Sequence, residues 1–196
     1  MSTVPGRGLL LAAFPPELAG LDAAPPPGWD VACTGVGAVT AAVTTARLVA
    51  LRGPGRVLFV GTCGAYDDRL RPGDLLAAEA AIATSLDELT GRAYRPAAER
   101  VRWPATWTLP FPSHAVAVPS AITRTEEGAR ALAQVAAAEH LELSGVFAAC
   151  AAAGVAAAAA LAVANRVGPR AHQEWTANHA RASAALIAAL RAHGVL

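Results

Sequence analysis

The sequence predicts a single α/β domain whose sheet is mixed or largely parallel. Apolar strand-like runs alternate with helix-like segments, and turns rich in Gly and Pro separate them. The length of 196 residues suits one domain with a substantial core. No internal repeat or second domain is evident, so we assign residues 1–196 to one domain.

The predicted strands are short apolar runs that end at turn-forming residues. A continuous apolar run is typical of a strand buried on both faces. The first run ends at Pro15-Pro16, and Arg71-Pro72-Gly73-Asp74 is a turn before the fourth. We predict strands at 8–14, 31–33, 56–60, 75–83, 115–118 and 155–164.

Four segments have helical character. Thr125, followed by two glutamates, is typical of a helix N-cap. Leu186, Ile187 and Leu190 share one face of the last helix. We predict helices at 38–51, 125–138, 144–153 and 171–193. The segment 85–112, which carries Trp103, Trp107 and four prolines, is predicted to be a long loop or lid.

The composition excludes several classes of protein. The chain is 54% hydrophobic, with a net charge of +1, which argues against disorder. It has no lysine, so lysine Schiff-base chemistry is impossible, and it has no basic cluster for nucleic acid. The most apolar stretch, 146–164, is mostly Ala and Gly, and we predict a buried helix and strand there rather than a membrane span. We therefore expect neither nucleic-acid nor membrane partners.

The cysteines and histidines have no metal-ligand spacing. Three widely separated cysteines and the absence of a secretory signal predict reduced thiols and a cytoplasmic protein. We predict that the histidines are structural or exposed, and that no metal or cofactor is bound. The cysteines are Cys33, Cys63 and Cys150, and the histidines are His114, His140, His172, His179 and His193.

Two glycine-containing turns are predicted after strands, at 35–37 and 61–64. Glycine there either supplies a positive φ in a tight turn or provides a backbone cradle for a ligand at the carboxyl ends of strands. Neither turn matches the dinucleotide-binding or Walker A pattern, so both interpretations stay open at this point.

The order of several short segments resembles the nucleoside phosphorylase and nucleosidase superfamily, of the purine nucleoside phosphorylase and methylthioadenosine nucleosidase type. Residues 165–170 (Asn-Arg-Val-Gly-Pro-Arg), with Trp175 shortly after, resemble the futalosine hydrolases within it. The segments are Phe14-Pro15-Pro16-Glu17, Thr34-Gly35-Val36-Gly37-Ala38-Val39, Val60-Gly61-Thr62-Cys63-Gly64, Pro72-Gly73-Asp74, Glu142-Leu143-Ser144-Gly145 and Val163-Ala164-Asn165.

The resemblance implies a fold and an activity. The fold would be a three-layer sandwich with a central mixed β-sheet flanked by helices, assembled as a homo-oligomer in which partner chains often complete the active site. The activity would be cleavage of the N-glycosidic bond of a purine-type nucleoside. For a futalosine hydrolase, that substrate belongs to an alternative menaquinone pathway.

The resemblance also implies two catalytic residues. Glu17 falls where the nucleosidases place the glutamate that activates water. Asn165 falls where the family assists the leaving base, and an amide there is typical of enzymes for 6-oxopurines. The loop after the first strand has no Arg, and Glu17 would repel phosphate, so hydrolysis is favoured over phosphorolysis.

Further positions match the family's nucleoside pocket. They lie in the segment 62–64, in the base-binding segment 118–123, and in the ribose-binding segment that begins at Glu142. Phe147 would either stack on the base or pack in the core. The candidate substrate-binding residues are Thr62, Cys63, Gly64, Val118, Ser120, Ile122, Glu142, Leu143, Ser144 and Phe147.

Two positions depart from the family pattern. Ser144 stands where the family has a second glutamate that grips the ribose hydroxyls, and Leu161 stands where an Arg is common. Either Glu142 or a neighbouring element substitutes for the missing glutamate, or the ribose is bound differently, or the activity is lost. A phosphorylase and a catalytically inactive nucleoside-binding protein therefore remain as alternatives.

Overall fold

The structure is a computed structural model that describes residues 6–21, 24–97, 99 and 101–196. Within that part of the chain, eight strands form one sheet, accompanied by five helices and a 3₁₀ turn at Pro15–Leu18. The strands are β1 (Gly8–Ala12), β2 (Trp29–Cys33), β3 (Arg56–Ala65), β4 (Leu75–Ala83), β5 (Arg102–Pro104), β6 (Ser113–Val118), β7 (Ala138–Glu139) and β8 (Ala156–Arg166). The helices are α1 (Ala38–Arg52), α2 (Leu86–Leu89), α3 (Glu126–Leu132), α4 (Leu143–Ala153) and α5 (Ala171–Ala192).

The sheet is mixed, as predicted. Strand β1 pairs in parallel with β2 and β3, and β3 pairs in parallel with β8. Strand β8 is antiparallel to β4, which is parallel to β6 and antiparallel to β5. The short β7 joins β6 to β3, so β3, β8, β4, β6 and β7 form a closed circuit of paired strands.

Helices cover both faces of the sheet, which confirms the predicted layered architecture. Alternate residues of a strand point to opposite faces. Leu9 and Leu11 pack in the core beneath α1 and α4, whereas Leu10 and Ala12 pack with the apolar face of α5. Burial on both faces explains why β1 is apolar at every position.

The close packing of α1 on α4 depends on Gly145. A Cβ atom on this residue would lie 2.0 Å from the carbonyl oxygen of Ala38. The absence of a side chain therefore lets the start of α4 approach the start of α1, where part of the functional site is built.

The predicted helix at 125–138 is wrong in its second half. Its start is confirmed, because the Thr125 hydroxyl accepts the Gly128 N–H at 3.0 Å. Helix α3 ends at Leu132, however, and Ala138–Glu139 forms β7. The backbone of β7 pairs with β3 and β6 and cannot also be helical, so this tertiary constraint overrides helix propensity.

The predicted turn at 61–64 is also wrong, because these residues continue β3 beside β8. Glycine at position 64 lets the side chains of Val167 and Asn165 lie close to the β3 backbone. A Cβ on Gly64 would lie 2.7 Å from Val167 Cγ2 and 3.0 Å from Asn165 Nδ2. The segment 35–37 does turn, and Gly35 and Gly37 have φ values of 83° and 89°.

The segment 85–112 is more ordered than a loop, in the part of it that the structure describes. It contains α2, and β5 pairs with β4. Trp103 and Trp107 pack against the cores on the two faces of the sheet. These tryptophans therefore contribute to the packing of the domain.

The stretch 146–164 divides into α4 and β8, as predicted. In the described residues, no helix has the length and apolar character needed to cross a membrane. Leu161, at the position where the resemblance implies that an Arg is common, is fully buried in the core.

Candidate active site

A cavity of about 340 Å³ opens where β1, β3 and β8 end. The carboxyl ends of parallel strands meet at this edge, which is the usual ligand site of an open α/β sheet. Three carboxylates, those of Glu17, Glu139 and Glu142, line the cavity. Among the residues described, no Arg or Lys side chain lines it.

Glu17 is directed into the cavity by the turn that follows β1. The two prolines of Pro15–Leu18 suit the start of a 3₁₀ turn, and the Glu17 side chain is buried, with the residue only 3% exposed. Its Oε2 accepts the Ala13 N–H at 3.0 Å. Its Oε1 accepts the Thr62 N–H at 2.8 Å and the Thr62 hydroxyl at 3.1 Å.

The surroundings of Glu17 raise its pKa above the ordinary value. Burial is the largest cause, and the neighbouring Glu142 carboxylate acts in the same direction. The charge of His140 and the backbone N–H groups of Thr62 and Ala13 oppose the rise. A carboxylate with a raised pKa is a better proton acceptor than an exposed one.

Thr62 connects Glu17 to an aromatic wall of the cavity. Its hydroxyl donates to Glu17 and accepts the Trp175 indole N–H at 3.1 Å. The Trp175 ring stacks on His179 with centroids 4.3 Å apart, and lies 6.1 Å from the Phe14 ring. Helix α5 thus presents a fixed indole beside the carboxylate.

The other two carboxylates are held by residues from different elements. Glu139, on β7, accepts the Tyr66 hydroxyl at 2.9 Å and the Thr123 N–H at 3.0 Å. Glu142, just before α4, accepts the Gly37 N–H at 2.8 Å. The positive φ of Gly37 turns the chain into α1 at this point.

His140 lies between these groups. It is 4% exposed, and its ring meets Phe59 edge-on at 5.1 Å. Its Nδ1 is 3.1 Å from the Glu142 backbone nitrogen and 3.2 Å from Glu142 Oε2. The sequence predicts no role for this histidine in the site, although Glu139 before it and Glu142 two residues after it were a signal that could have found it.

Asn165 closes the cavity at the end of β8. It is 8% exposed, and its Nδ2 donates to the carbonyl oxygen of Arg166 at 2.9 Å. It pairs in register with Gly64, whose lack of a side chain leaves room for the amide. The side chain is therefore fixed at the cavity wall.

The cavity brings together seven of the twelve predicted site residues. They are Glu17, Thr62, Cys63, Gly64, Ile122, Glu142 and Asn165. The other five do not line it: Ser120 is exposed, whereas Ser144 is buried on α4 and Val118, Leu143 and Phe147 are buried in the core. Further residues that line the cavity were not among the predicted site residues: Phe14, Val36, Glu139, His140, His172 and Trp175.

The cysteine thiols and the candidate metal ligands were also compared with the cavity. All three cysteines are free, and burial together with Glu17 raises the pKa of the Cys63 thiol that lines the cavity. Burial raises the pKa of Cys150 to about 12. Within the described residues, no group of three or more His, Cys, Asp or Glu side chains is arranged to hold a metal ion.

Residues 31–141 match the family model of the phosphorylase superfamily, which is more than half of the chain. The chain belongs to the phosphorylase superfamily. The matched region includes β3 and β7, which supply Thr62 and Glu139 to the cavity. A comparison with curated proteins finds no match.

Solved structures of this superfamily fold superpose on nearly the whole chain. A futalosine hydrolase mutant of Helicobacter pylori has a TM-score of 0.80 at 18% identity, covering 94% of this chain and 96% of that one. A 5′-methylthioadenosine/S-adenosylhomocysteine nucleosidase of Helicobacter pylori has a TM-score of 0.81 at 16% identity, covering 96% of this chain and 97% of that one. The corresponding nucleosidase of Colwellia psychrerythraea, in complex with adenine, gives 0.74 at 17%, covering 93% of each chain. At these identities the likeness shows the fold.

Proposed function

We propose that the protein is a nucleosidase that hydrolyses the N-glycosidic bond of a purine-type nucleoside. The observation that carries this proposal is the buried Glu17 carboxylate, held by three hydrogen-bond donors in a cavity lined by two further glutamates. The solved structures with the same fold include nucleosidases and a futalosine hydrolase, which supports this reaction class.

The cavity suits the charges that develop during glycosidic cleavage. As the C1′–N bond breaks, its electron pair leaves with the base and positive charge builds on the ribose. Buried carboxylates stabilise that charge. Glu17 accepts a proton from water while the water oxygen bonds to C1′. The departing base takes up a proton from solvent at a ring nitrogen, and Glu17 later releases its proton to solvent, so the protons balance.

Glu142 is the proposed partner of the ribose hydroxyls. Its carboxylate lines the cavity, and its contact with Gly37 fixes one oxygen. Ser144 lies outside the cavity lining, so a serine at that position does not by itself remove the ribose contact. This arrangement argues against a pocket degraded by the loss of a ribose-binding glutamate.

Asn165 is the proposed contact to the leaving base. Its amide can donate and accept hydrogen bonds but does not readily deliver a proton, which suits a 6-oxopurine better than an adenine. Together with the resemblance of residues 165–170 to futalosine hydrolases, this makes futalosine the first substrate to test.

Hydrolysis is favoured over phosphorolysis by the electrostatics of the cavity. A phosphate co-substrate needs cationic side chains or clustered N–H donors. The described lining offers three glutamates and no Arg or Lys. A phosphate beside these carboxylates would be repelled.

The test is to follow free base from futalosine, inosine and 5′-methylthioadenosine, each with and without inorganic phosphate. We expect release at equal rates in both buffers, with 6-oxopurine nucleosides cleaved faster. A strict requirement for phosphate would identify a phosphorylase instead. Tight binding of nucleoside without any release would identify an inactive binding protein.

We further propose that the protein is a cytoplasmic homo-oligomer. Val36 lines the cavity, and Val36, together with Val39 and Val43 on α1, is an exposed apolar side chain, which favours contact with a second copy. Light scattering on the purified protein measures the assembly directly. A monomer at micromolar concentration would contradict this part of the proposal.

A further inference from the structure

One carboxylate of the cavity, that of Glu139, has no role in the proposed hydrolysis. The residue ends β7, is only 7% exposed and lines the cavity. Burying a carboxylate is costly unless hydrogen bonds compensate for the lost hydration. The contacts of Glu139 and its place in the sheet therefore indicate what it can bind.

Both oxygens of Glu139 accept hydrogen bonds from buried donors. Oε2 accepts the Tyr66 hydroxyl at 2.9 Å, and Oε1 accepts the Thr123 backbone N–H at 3.0 Å. Burial and the neighbouring Glu139 raise the pKa of the Tyr66 hydroxyl, so the phenol keeps the proton that it donates. Because a carboxylate oxygen has two acceptor positions, each oxygen keeps one for a ligand. Glu139 is therefore a fixed hydrogen-bond acceptor.

Glu139 and Asn165 flank the same glycine in the sheet. Gly64 of β3 pairs with Glu139 of β7 on one side and with Asn165 of β8 on the other. Neighbouring strands are about 4.8 Å apart, so about 10 Å separates the Cα atoms of the two polar residues. All three residues line the cavity, and a Cβ on Gly64 would lie 3.0 Å from Asn165 Nδ2. Since Gly64 has no side chain, a slot is open between the carboxylate and the amide.

The slot matches the polar edge of a 6-oxopurine. Along that edge the base presents the N7 and O6 acceptors and then the N1–H donor. Asn165 Nδ2 uses one hydrogen for the carbonyl oxygen of Arg166 and keeps the second for an acceptor on a ligand. Glu139 offers an acceptor on the other side of Gly64. Adenine has an amino group in place of O6 and a lone pair on N1, which would face the carboxylate.

We propose that Glu139 is a specificity-determining residue that accepts the N1–H of a 6-oxopurine while Asn165 donates to N7 or O6 of the same base. The proposal rests on the proposed nucleosidase function for the presence of a base in the cavity, and it adds a selection against adenine. Tyr66 and Thr123 hold the carboxylate in place. The role of Glu139 is in binding, and it makes or breaks no covalent bond.

Isothermal titration calorimetry of the full chain with hypoxanthine and adenine tests the proposal. The proteins are the wild type, Glu139→Gln and the control Glu127→Gln, which changes an exposed carboxylate on α3. We expect the wild type to bind hypoxanthine at least about tenfold more tightly than adenine, because only hypoxanthine donates from N1 to the carboxylate. Glutamine can donate to adenine N1, so Glu139→Gln should lower this preference at least about tenfold, whereas Glu127→Gln should retain it. An unchanged preference in Glu139→Gln, or binding of neither base to the wild type, would overturn the proposal.

A second measurement covers the case in which Glu139→Gln does not fold. With ¹⁵N-labelled hypoxanthine bound to the wild type, NMR should show an N1–H that is protected from exchange with water, and the N1-methylated base should bind at least about tenfold more weakly. A freely exchanging N1–H, or equal affinities for the two bases, would refute the contact.

The outcomes separate this role from the proposed activity. If the bases bind as expected but no nucleoside is cleaved, the role of Glu139 stands and the nucleosidase function fails. If nucleosides are cleaved but Glu139→Gln keeps the wild-type base preference, the function stands and the role of Glu139 fails.

Discussion

Thr62→Val is the substitution that tests the hydrogen-bonded support of Glu17. Valine keeps the shape and the β-branch of threonine inside β3 but removes the hydroxyl. Two hydrogen bonds disappear with it, the one donated to Glu17 at 3.1 Å and the one accepted from Trp175 at 3.1 Å. The backbone N–H of Thr62 still donates to Glu17.

The expected loss of stability follows from these two contacts. A hydrogen bond to a charged group contributes about 1.5–3 kcal/mol, and a neutral one about 1 kcal/mol. Because Glu17 keeps its backbone donors and Trp175 is only half-buried, we expect a total loss of about 2–3 kcal/mol. For a domain of this size, that lowers the Tm by roughly 5–10 °C.

Differential scanning calorimetry of Thr62→Val and Thr62→Ser checks this estimate. Serine retains the hydroxyl, so its loss of stability should be less than half that of valine. The acid limb of the pH–rate profile should also move to higher pH in Thr62→Val, because the ionised form of Glu17 has lost a donor. Equal Tm values and equal acid limbs for the two variants would refute the proposed support.

Three further predictions concern stability and substrate binding. The folded-state pKa of Glu17 is raised, so its contribution to the free energy of unfolding is full below the ordinary value of 4.5 and is lost as the pH rises through the folded-state value. In urea unfolding, the stability of Glu17→Gln relative to the wild type should therefore increase with pH in that window. A difference in stability that does not change with pH would contradict the burial argument. Gly145→Ala would bring a methyl to 2.0 Å from a carbonyl of α1 and should cost about 3 kcal/mol in urea unfolding, whereas Ala152→Leu on the exposed end of α4 should cost little. Glu142→Gln should raise KM at least about tenfold, more than Ser144→Ala does, and the reverse order would place the ribose contact at Ser144.

Six of the eight described strands followed from local signals in the sequence, whereas Glu17 was singled out by the family resemblance. The apolar run after Gly8 predicts a strand because both of its faces are buried, and Pro15-Pro16 marks its end. The glutamate that comes next then lies at the carboxyl edge of the sheet, where ligands bind. These features depend on neighbouring residues along the chain.

The features that the sequence did not predict depend on distant contacts. Strand β7 has two residues and forms because β3 and β6 both pair with it, so no periodic pattern reveals it. Without β7, nothing brings Glu139 and His140 to the cavity. For the same reason the chain was expected to turn at Gly61, where β8 in fact keeps β3 extended.

The choice between Glu142 and Ser144 required the structure for a geometric reason. Residues two apart at a helix start point about 200° away from each other, so only one of them can face the cavity. Helix α4 begins at Leu143, and the preceding Glu142 is the one turned toward Gly37 and the cavity.

The role of Glu17 as the base that activates water is the central claim, and the initial rate of base release in phosphate-free buffer measures it most directly. The variants to compare with the wild type are Glu17→Gln and Glu127→Gln, an exposed carboxylate on α3. We predict that Glu17→Gln lowers kcat by about 10²–10⁴-fold, the usual contribution of a general base, and that Glu127→Gln retains the wild-type rate. A Glu17→Gln variant that releases base at the wild-type rate would contradict the account.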